Sequence, residues 1–359
     1  MERILVYALT ENIGGVEEYV LNLIRYKQSE NIYGYVVLGE STPYQDEIEK
    51  LGCKCFFLPK KRQLINSIIK TRKLFKSLRR EYDCIYFNTS ALGYIIPYLY
   101  AIKYNYKIVL HSHSDARKTA GIIKKIVHRV NYSIIKNKVS VKLACSSPAA
   151  NWMFGNQYEN VQIIPNAIDL HRFRYDTQKR SEIRKQLNID KSTIVLGNIG
   201  RLTKVKNQEF LLELVKEFKQ QKKSVRLVLV GDGKDYEKLH RIVEQNDLID
   251  YVTFWGRTER PEEVMNGLDC IVMPSLAEGF PISLIEAQAA GLPCVVSDCI
   301  TEEVNVSGCI QFLSLNASIQ EWYNAIIQLA KMDRKDNIQL LDDNGYEVQK
   351  LEKLVSSII

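Results

Sequence analysis

The sequence predicts an α/β protein built from two doubly wound domains. Apolar runs typical of buried parallel strands alternate with amphipathic helical patterns along nearly the whole chain. The length of 359 residues suits about two domains of roughly 150 residues each. The alternation is interrupted by the polar, proline-containing stretch PNAIDLHRFRYDTQKR, so we place a linker near 170–180.

Each element is predicted from its local pattern. In the first half, strands are predicted at 3–9, 35–39, 54–58, 83–87, 107–110, 141–145 and 161–164, and helices at 15–28, 62–80, 91–104, 120–137 and 147–155. In the second half, strands are predicted at 193–199, 225–230, 251–254, 269–273, 293–296 and 309–312, and helices at 207–220, 234–246, 282–290, 317–331 and 345–358. The predicted domains are 1–172 and 173–335, followed by a helical segment in 336–359.

Composition narrows the class of protein. A hydrophobic content of 46% and a charged content of 25% are those of a soluble globular protein. No apolar run reaches the roughly 18 residues of a membrane span, and the start MERILVYAL lacks the features of a signal peptide, so we expect a cytoplasmic protein. Five of the eight cysteines lie in or beside apolar strand-like runs and are interpreted as buried free thiols, namely Cys84, Cys145, Cys270, Cys294 and Cys309. The one tight pair, Cys53-x-Cys55, lacks zinc-ligand spacing.

Charge is divided unequally between the two halves. Residues 1–176 hold 26 Lys and Arg against 15 Asp and Glu, whereas the remainder holds 23 against 27. The first domain is therefore expected to meet an anionic surface or ligand. Segment 60–80 has nine basic residues and no acidic one. It is read either as a helix lying on an anionic membrane or as a surface helix whose apolar stripe is core.

Doubly wound domains bind ligands at the carboxyl ends of their strands. Gly14-Gly15 follows the first strand, where glycines let backbone amides approach an anion, although a simple turn explains the pair equally well. The loop HSHSD holds His111 and His113, which could orient a polar substrate or exchange a proton near neutral pH. A metal role is disfavoured, because no completed ligand set is in view.

Two loops of the second half carry stronger signals. Arg201, Lys204 and Lys206 follow a strand end and precede a helix, an arrangement that suits a diphosphate. The stretch AEGFPISLIEAQAAGLPCVVSD, 277–298, places Glu278 in a loop and Glu286 inside an apolar helix. A carboxylate on a buried helix needs a partner, and vicinal hydroxyls such as those of a ribose would supply one.

The order of motifs over nearly the whole chain resembles glycosyltransferase family 4, which has the GT-B fold. The stretches are RILVYALTENIGGVEEYVLNL, VLHSHSD, ACSSPAANWMFG, VQIIPNAIDLHRF, IGRLTKVKNQEFLLELV, LVLVGDGKDYEKL and the Glu-x7-Glu block at 278–286. More narrowly, the chain is similar to bacterial capsular or exopolysaccharide enzymes. The resemblance implies two Rossmann-like domains facing a cleft and a last helix that packs back on the N-terminal domain. It also implies retaining transfer from a nucleotide sugar, with UDP the expected nucleotide, to a glycan or lipid-linked acceptor.

The resemblance also assigns roles to residues. The catalytic candidates are Glu278, which would hold sugar hydroxyls, and His113, which would face the donor sugar. The donor-binding candidates are Arg201 and Lys206 on the diphosphate, Arg257 near the base, Gly15 near the phosphates or acceptor, Glu286 on the ribose, and the backbone of Gly279, Phe280 and Ile282 on phosphate and sugar. No metal and no cofactor is expected, which agrees with the lack of an Asp-x-Asp motif.

Two positions depart from the family pattern. Ala167 stands where a glycine often follows Pro-Asn, so the backbone there is expected to differ. Asn88 stands where a histidine is common, so a polar contact on the acceptor side is expected to differ.

The sequence favours three other hypotheses about function less than it favours a transferase. A hydrolase would place two carboxylates across the scissile bond, but one of them is assigned here to the ribose. A nucleic-acid-binding role lacks a basic-aromatic module. The main alternative is a catalytically inactive sugar-nucleotide-binding or scaffold protein of the same fold.

Overall fold

A computed structural model describes the chain in the ranges 1–11, 14–60, 62–117, 120–155 and 160–359. The described residues form two compact units. Unit 1 consists of Met1–Ala167 together with Glu347–Ile359, and unit 2 consists of Ile168–Tyr346. A search of the described residues finds no helix with the length and apolar character needed to cross a membrane.

Unit 1 contains a seven-stranded parallel sheet in the order β3-β2-β1-β4-β5-β6-β7 across its described residues. The strands are β1 (Arg3–Thr10), β2 (Ile32–Leu38), β3 (Lys54–Leu58), β4 (Cys84–Thr89), β5 (Lys107–Ser112), β6 (Val141–Ala144) and β7 (Val161–Ile163). The helices between them are α1 (Gly15–Arg25), α2 (Gln45–Lys50), α3 (Leu64–Leu78), α4 (Ile96–Lys103), α5 (Ile122–Ile135) and α6 (Ser147–Phe154).

Unit 2 contains a six-stranded parallel sheet in the order β10-β9-β8-β11-β12-β13. The strands are β8 (Ile194–Ile199), β9 (Val225–Val230), β10 (Val252–Gly256), β11 (Cys270–Met273), β12 (Cys294–Ser297) and β13 (Ile310–Leu313). The helices are α7 (Thr177–Gln186), α8 (Gln208–Gln220), α9 (Tyr236–Gln245), α10 (Pro261–Gly267), α11 (Ile282–Ala289), α12 (Ile319–Leu329) and α13 (Ile338–Asp343).

The strand orders explain where ligands should bind. In both sheets the first strand lies inside the sheet, and the chain runs first to one side of it and then to the other. The predicted class of two doubly wound domains is confirmed by this topology. Connections on either side of the first strand depart in opposite directions, and the crevice between them, at the carboxyl ends, is the expected ligand site. That point lies between β1 and β4 in unit 1, and between β8 and β11 in unit 2.

Helix α7 lies where the sequence predicts a linker. Asp176 caps the helix by accepting hydrogen bonds from two backbone amides of its first turn. Arg180 and Arg184 pair with Asp269 at 2.5 and 3.1 Å, and these contacts fix the helix to unit 2. The linker prediction is therefore wrong for 177–180. The sequence pattern does not predict this helix, because the helix buries only two of its side chains and lacks an apolar stripe.

The end of unit 2 lies beyond residue 335. Helix α13 packs against α11. Just before α13, Asn337 Nδ2 donates a hydrogen bond to the carbonyl oxygen of Gln288 at 3.0 Å. These contacts lie within unit 2, which continues to Tyr346.

The chain then returns to unit 1 as helix α14 (Leu351–Ile358). Its apolar side chains Leu351 and Val355 are buried in the core of unit 1. Its Glu352 has no exposed surface and accepts hydrogen bonds from Tyr33 Oη at 2.8 Å and Ser356 Oγ at 2.6 Å. The same carboxylate accepts from the amides of Gln28 and Ser29, both at 3.1 Å, and from the Ser29 hydroxyl.

Candidate functional site

The topology of unit 2 brings two predicted loops together. β8 and β11 are hydrogen-bonded neighbours, with Leu196 opposite Cys270 and Gly197 opposite Ile271. The loop after β8 carries the predicted diphosphate cations, and the loop after β11 carries the predicted sugar-binding carboxylate. Both loops leave the sheet at its carboxyl edge. They flank the position between β8 and β11, where the connections on the two sides depart in opposite directions.

Lys206 and Glu278 form an ion pair at this point. Lys206 Nζ lies 2.7 Å from Glu278 Oε1, and the two side chains are 20% and 12% exposed. The contact is chiefly electrostatic, because Glu278 Oε1 is buried and accepts no well-directed hydrogen bond. The Lys206 side chain passes over Gly200, where an added Cβ would lie 3.3 Å from Lys206 Cε. A cation is thus held at the carboxyl end of β8 by the residue expected to meet the sugar.

Hydrogen bonds to main-chain carbonyl oxygens fix the positions of the two loops. The amide of Leu276 donates to the carbonyl oxygen of Val205 at 2.8 Å. Asn207 Nδ2 donates to the carbonyl oxygen of Pro274 at 3.1 Å. Asn207 adopts the left-handed conformation, with φ of 55°, directly before α8. The site is therefore preorganised by hydrogen bonds to main-chain carbonyl oxygens, and not by the charged side chains alone.

The glycines of LVGDGKDYEKL have a steric role. Gly231 follows β9 with φ of +133°, and a Cβ there would lie 2.2 Å from the carbonyl oxygen of Gly200. A Cβ at Gly233 would lie 2.2 Å from the carbonyl oxygen of Leu202. The close approach holds the ends of β8 and β9 together, next to Arg201.

Helix α11 begins at Ile282, and Pro281 is its N-cap residue with no side-chain cap. The first backbone amides of a helix have no intrahelical acceptor and carry a partial positive charge. In α11 these first amides lie in the segment that the sequence predicts to bind phosphate. The ring of Phe280 is buried and stacks on Tyr346 with centroids 6.1 Å apart, which anchors the turn of Gly279 and Phe280.

Glu286 is half-buried, and its nearby cation was missed by sequence reasoning. Arg172 lies in a short 3-10 helix, His171–Phe173, that packs against α11. Its Nη2 donates to Glu262 Oε2 at 2.9 Å and to the carbonyl oxygen of Glu259 at 2.5 Å. Burial lowers the pKa of Arg172, but Glu262, Glu286 and Asp169 together raise it above its ordinary value.

Arg172 stands in the motif VQIIPNAIDLHRF that carried part of the family resemblance. Its position as the penultimate residue of that motif was the available signal, but the end of the motif overlaps the stretch that the sequence analysis assigns to the linker.

Arg201 and Arg257 have exposed side chains, and neither forms an ion pair within the part of the chain that the structure describes. Arg201 is fixed through its backbone, because its carbonyl oxygen accepts a hydrogen bond from Gln208 Nε2 at 3.0 Å. Arg257 follows β10, at the sheet edge beyond β9. Along the sheet, Arg257 therefore lies farther from Glu278 than Arg201 does.

In unit 1, Gly14 and Gly15 begin α1 as predicted. Gly14 is the N-cap residue, and a Cβ there would lie 2.9 Å from Glu17 Oε2. Glu17 is 8% exposed, and its Oε1 accepts a hydrogen bond from Thr10 Oγ1 at 2.6 Å. A carboxylate therefore lies against the amide end of α1, where sequence reasoning left phosphates and acceptor as alternatives.

His111 and His113 lie in a buried polar network. Tyr19 Oη is 2.9 Å from Tyr86 Oη, which is 2.7 Å from His111 Nδ1. The two imidazole rings are 4.0 Å apart between centroids. Burial, with His113 adding to it, lowers the pKa of His111 well below its ordinary value. Burial lowers the pKa of His113 to about 3. Both rings are neutral at pH 7, which favours an orienting role over proton exchange.

The contacts of Asn88 define the tautomer of His113. Asn88 Nδ2 donates to the carbonyl oxygen of Tyr86 at 3.1 Å, so its Oδ1 faces His113 Nε2 at 2.8 Å. His113 Nε2 is then the donor, and Nδ1 keeps its lone pair. Among the described residues no well-directed hydrogen bond reaches His113 Nδ1 or Asn166 Oδ1, although Asn166 lies close enough to raise the pKa of His113. The departure from the family pattern at Asn88 thus orients His113.

Neither unit offers a metal site within its described residues. A search of those residues finds no group of three or more His, Cys, Asp and Glu side chains placed to hold a metal ion. The eight cysteines are all free thiols.

Comparison with known proteins decides the family. The profile described as Glycosyl transferases group 1 matches residues 179–346, and the profile described as Glycosyltransferase Family 4 matches residues 13–172. EpsF of Bacillus subtilis, whose name assigns it to the glycosyltransferases, is 30% identical over 351 residues, which cover 94% of this chain and 91% of EpsF. The chain belongs to glycosyltransferase family 4.

Two further comparisons describe the relatives of this glycosyltransferase. The UDP-Gal:alpha-D-GlcNAc-diphosphoundecaprenol alpha-1,3-galactosyltransferase of Escherichia coli is 26% identical over 88% of this chain and 85% of that enzyme. The crystal structure of Anabaena HepE in complex with UDP-glucose superposes with a TM-score of 0.81 at 19% identity, over 99% of both chains. The fold of the glycosyltransferase is therefore GT-B.

The structure distributes the predicted residues of the glycosyltransferase between its units. His113 and Gly15 belong to unit 1, after β5 and β1. The other predicted residues belong to unit 2, and Lys206 and Glu278 are in direct contact.

Proposed function

We propose that the glycosyltransferase transfers a sugar with retention of configuration from a UDP-sugar to a glycan or lipid-linked acceptor in exopolysaccharide or capsule synthesis. The observation that carries the proposal is the Lys206–Glu278 pair of 2.7 Å between the ends of β8 and β11. The pair supports the proposal because a cation suited to a phosphate and a carboxylate suited to sugar hydroxyls lie side by side, as the two ends of a sugar phosphate require.

The donor is bound by unit 2. Arg201 and Lys206 bind the diphosphate, and the amides of Gly279, Phe280 and Ile282 at the uncapped start of α11 bind phosphate and sugar. Glu286 accepts hydrogen bonds from the ribose hydroxyls, and Arg257 lies near the base. The names of relatives support the nucleotide, since one curated enzyme uses UDP-Gal and the HepE structures contain UDP and UDP-glucose.

The charges of the site favour departure of the nucleoside diphosphate. As the bond between C1 and the phosphate oxygen breaks, its electron pair passes to that oxygen. Arg201, Lys206 and the start of α11 stabilise the growing negative charge. Neither a metal ion nor a cofactor is needed in this scheme, because the cations are supplied by side chains.

Unit 1 supplies the acceptor side. The buried carboxylate of Glu17 beside Gly14 disfavours a second anion at the start of α1. Of the two alternatives for Gly15, we therefore favour the acceptor. His113, neutral and oriented by Asn88, offers a hydrogen bond to a sugar hydroxyl.

Retention is proposed to proceed by attack of the acceptor on the face from which the diphosphate leaves. The acceptor oxygen bonds to C1 and its proton passes to the departing phosphate oxygen, so no enzyme nucleophile is required. The rival route would form a covalent bond between C1 and Glu278.

Glu278→Gln is expected to separate these routes. Glutamine still hydrogen-bonds to sugar hydroxyls, so we expect kcat to fall by about tenfold in the one-step route. Loss of a nucleophile would lower it by about a thousandfold or more. Intact-mass analysis of the wild type with donor alone supplies a second readout, and a glycosyl adduct on Glu278 would refute the one-step route.

The nucleotide is tested by thermal shift with UDP, GDP, ADP, several UDP-sugars and NAD. A ligand present at a hundred times its Kd stabilises the folded state by about 2.7 kcal/mol. We expect UDP and one or more UDP-sugars to raise Tm, and Arg201→Ala and Glu286→Ala to abolish the effect. Lys223→Ala, on the exposed surface of unit 2, is the control.

Two other outcomes carry information. A shift with UDP but no transfer to any acceptor would favour an inactive sugar-nucleotide-binding protein. A folded sample that responds to no nucleotide would overturn the donor assignment and favour a scaffold.

A further inference from the structure

Helix α5 exposes most of its apolar side chains. Of its residues, His128 and Ile135 are buried. The exposed apolar residues are Ile122 (75%), Ile123 (77%), Ile126 (58%), Val127 (37%), Val130 (52%) and Ile134 (54%). Monomeric proteins rarely leave so large a contiguous apolar patch in water, and such patches mark interaction surfaces.

The exposed residues share one face of the helix. At 3.6 residues per turn they fall within an arc of about 140°. His128 and Ile135 point to the opposite side, where the helix meets the rest of unit 1. His128 Nδ1 accepts a hydrogen bond from the amide of Leu92 at 3.1 Å, and Asn131 Nδ2 donates to the carbonyl oxygen of Leu92. The apolar face is therefore turned outwards because the polar face is anchored.

The start of α3 adds to this face. In segment 60–80, Phe75 and Leu78 are buried in the core, as the surface-helix alternative requires, whereas the apolar residues at the start of the helix are exposed. The exposed apolar residues are Leu64 (53%), Ile65 (74%) and Ile69 (60%). Lys61 lies outside the described residues.

Helices α3 and α5 lie on the same side of the sheet. The connections β3 to β4 and β5 to β6 both run towards β7, so right-handed crossovers place both helices on one face. The segment between β4 and α4 joins them, because Tyr94 Oη donates to Ser67 Oγ at 3.0 Å and Leu92 binds α5 as described. Both helices begin at the carboxyl edge of the sheet. The exposed starts of α3 and α5 therefore lie at the ligand-binding edge of unit 1.

The positive charge around this face indicates which kind of partner binds it. Residues 116–158 contain eight Lys and Arg and no Asp or Glu, and 60–80 is equally free of acidic residues. In α5, Lys125 and Arg129 flank one border of the apolar arc and Lys124 the other. A second copy of this chain would bring like charges together. An anionic lipid surface matches both the apolar arc and its cationic borders.

We propose that α5 and the start of α3 form a membrane-binding face that inserts its apolar side chains into the interface of an anionic phospholipid bilayer. The lysines and arginines bordering the apolar arc bind lipid headgroups. The role of this face, which rests on the proposed function, is to present the acceptor-side edge of unit 1 to lipid-linked acceptors. Binding to the bilayer itself does not depend on the donor.

The test is co-sedimentation with phosphatidylcholine vesicles prepared with and without phosphatidylglycerol. The wild type is expected to bind the anionic vesicles and to lose binding at high salt. The triple variant Ile122→Ser, Ile123→Ser, Ile126→Ser is expected to bind at least tenfold more weakly. Because these side chains are exposed, the variant should fold normally. The matched control is Ile249→Ser, which replaces an isoleucine that is 64% exposed in unit 2.

A second variant tests the charged border. Lys124→Gln, Lys125→Gln, Arg129→Gln is expected to reduce binding to anionic vesicles severalfold, with Lys222→Gln, Lys223→Gln in unit 2 as control. Binding that ignores phosphatidylglycerol, or apolar and control variants that bind alike, would overturn the proposal. So would a dimer that is lost in the apolar variant while vesicle binding is absent.

The same samples keep the two proposals apart. The UDP-induced thermal shift of the apolar variant should equal that of the wild type. If no sample responds to UDP but vesicle binding follows the pattern above, the donor assignment fails and the membrane-binding face stands.

Discussion

Replacing Lys206 by alanine is expected to weaken UDP binding by about 10- to 100-fold, since a hydrogen bond to a charged group contributes about 1.5–3 kcal/mol. Lys206 is 20% exposed, so its charge is partly shielded from water and acts strongly on a phosphate. Isothermal titration with UDP measures the effect. The matched control is Lys223→Ala, an exposed lysine on the surface of unit 2.

The same substitution leaves the carboxylate of Glu278 without its cation. This carboxylate is 12% exposed, so we expect the free energy of unfolding of Lys206→Ala to fall by about 1–3 kcal/mol. Adding Glu278→Gln should restore most of this stability but none of the UDP affinity. The double-mutant cycle separates the stability of the pair from its role in binding.

Glu278→Gln alone is not expected to weaken UDP binding, in contrast to Lys206→Ala. In the free enzyme Lys206 is paired with Glu278, and a phosphate must compete with that carboxylate. Removing the charge is expected to leave UDP affinity unchanged or higher. Equal losses of UDP affinity in both single variants would contradict the assignment of Lys206 to the phosphate and Glu278 to the sugar.

Replacing Glu352 by alanine is expected to lower the free energy of unfolding of unit 1 by about 2–4 kcal/mol, because several buried donors lose their acceptor. Glu352 has no exposed surface, and its partners include Tyr33, Ser356 and the amides of Gln28 and Ser29. Urea unfolding gives the magnitude, and hydrogen exchange in 351–358 shows whether α14 is released. Glu30→Ala, an exposed residue nearby, is the control.

Glu352 also predicts a pH dependence. Burial by itself raises the pKa of its carboxyl, but hydrogen bonds from Ser29, Ser356, Tyr33 and Gln28 outweigh burial and hold the pKa below its ordinary value. A group with a depressed pKa stabilises the fold fully above its unfolded pKa of about 4.3. That contribution is lost as the pH falls through the folded value.

The variant Glu352→Gln isolates this term. It cannot titrate, so its stability should lack the part of the acid loss that Glu352 contributes. Parallel stability curves for the wild type and Glu352→Gln below pH 5 would show that the network does not bind the charged form more tightly.

Local pattern was sufficient for the strands and the loops that follow them. Runs such as VRLVLV are buried along almost their full length in β9, because a parallel sheet covered by helices has no polar face. Glycine, proline and charge at strand ends marked Lys206, Glu278 and Glu286 without knowledge of the fold. A polar helix such as α7 gave no such signal, since its stability comes from Asp269 elsewhere in the chain.

The sequence by itself determined the strands of the two doubly wound sheets and the identity of the charged loop residues, because these depend on period and on residues close in the chain. Only the tertiary structure decided that Lys206 pairs with Glu278, that Arg172 lies near Glu286, that Glu352 is buried, and that α5 turns its apolar face outwards. These contacts depend on which strands are neighbours and which helix face finds a partner. Both are properties of the whole packed unit, and no local pattern specifies them.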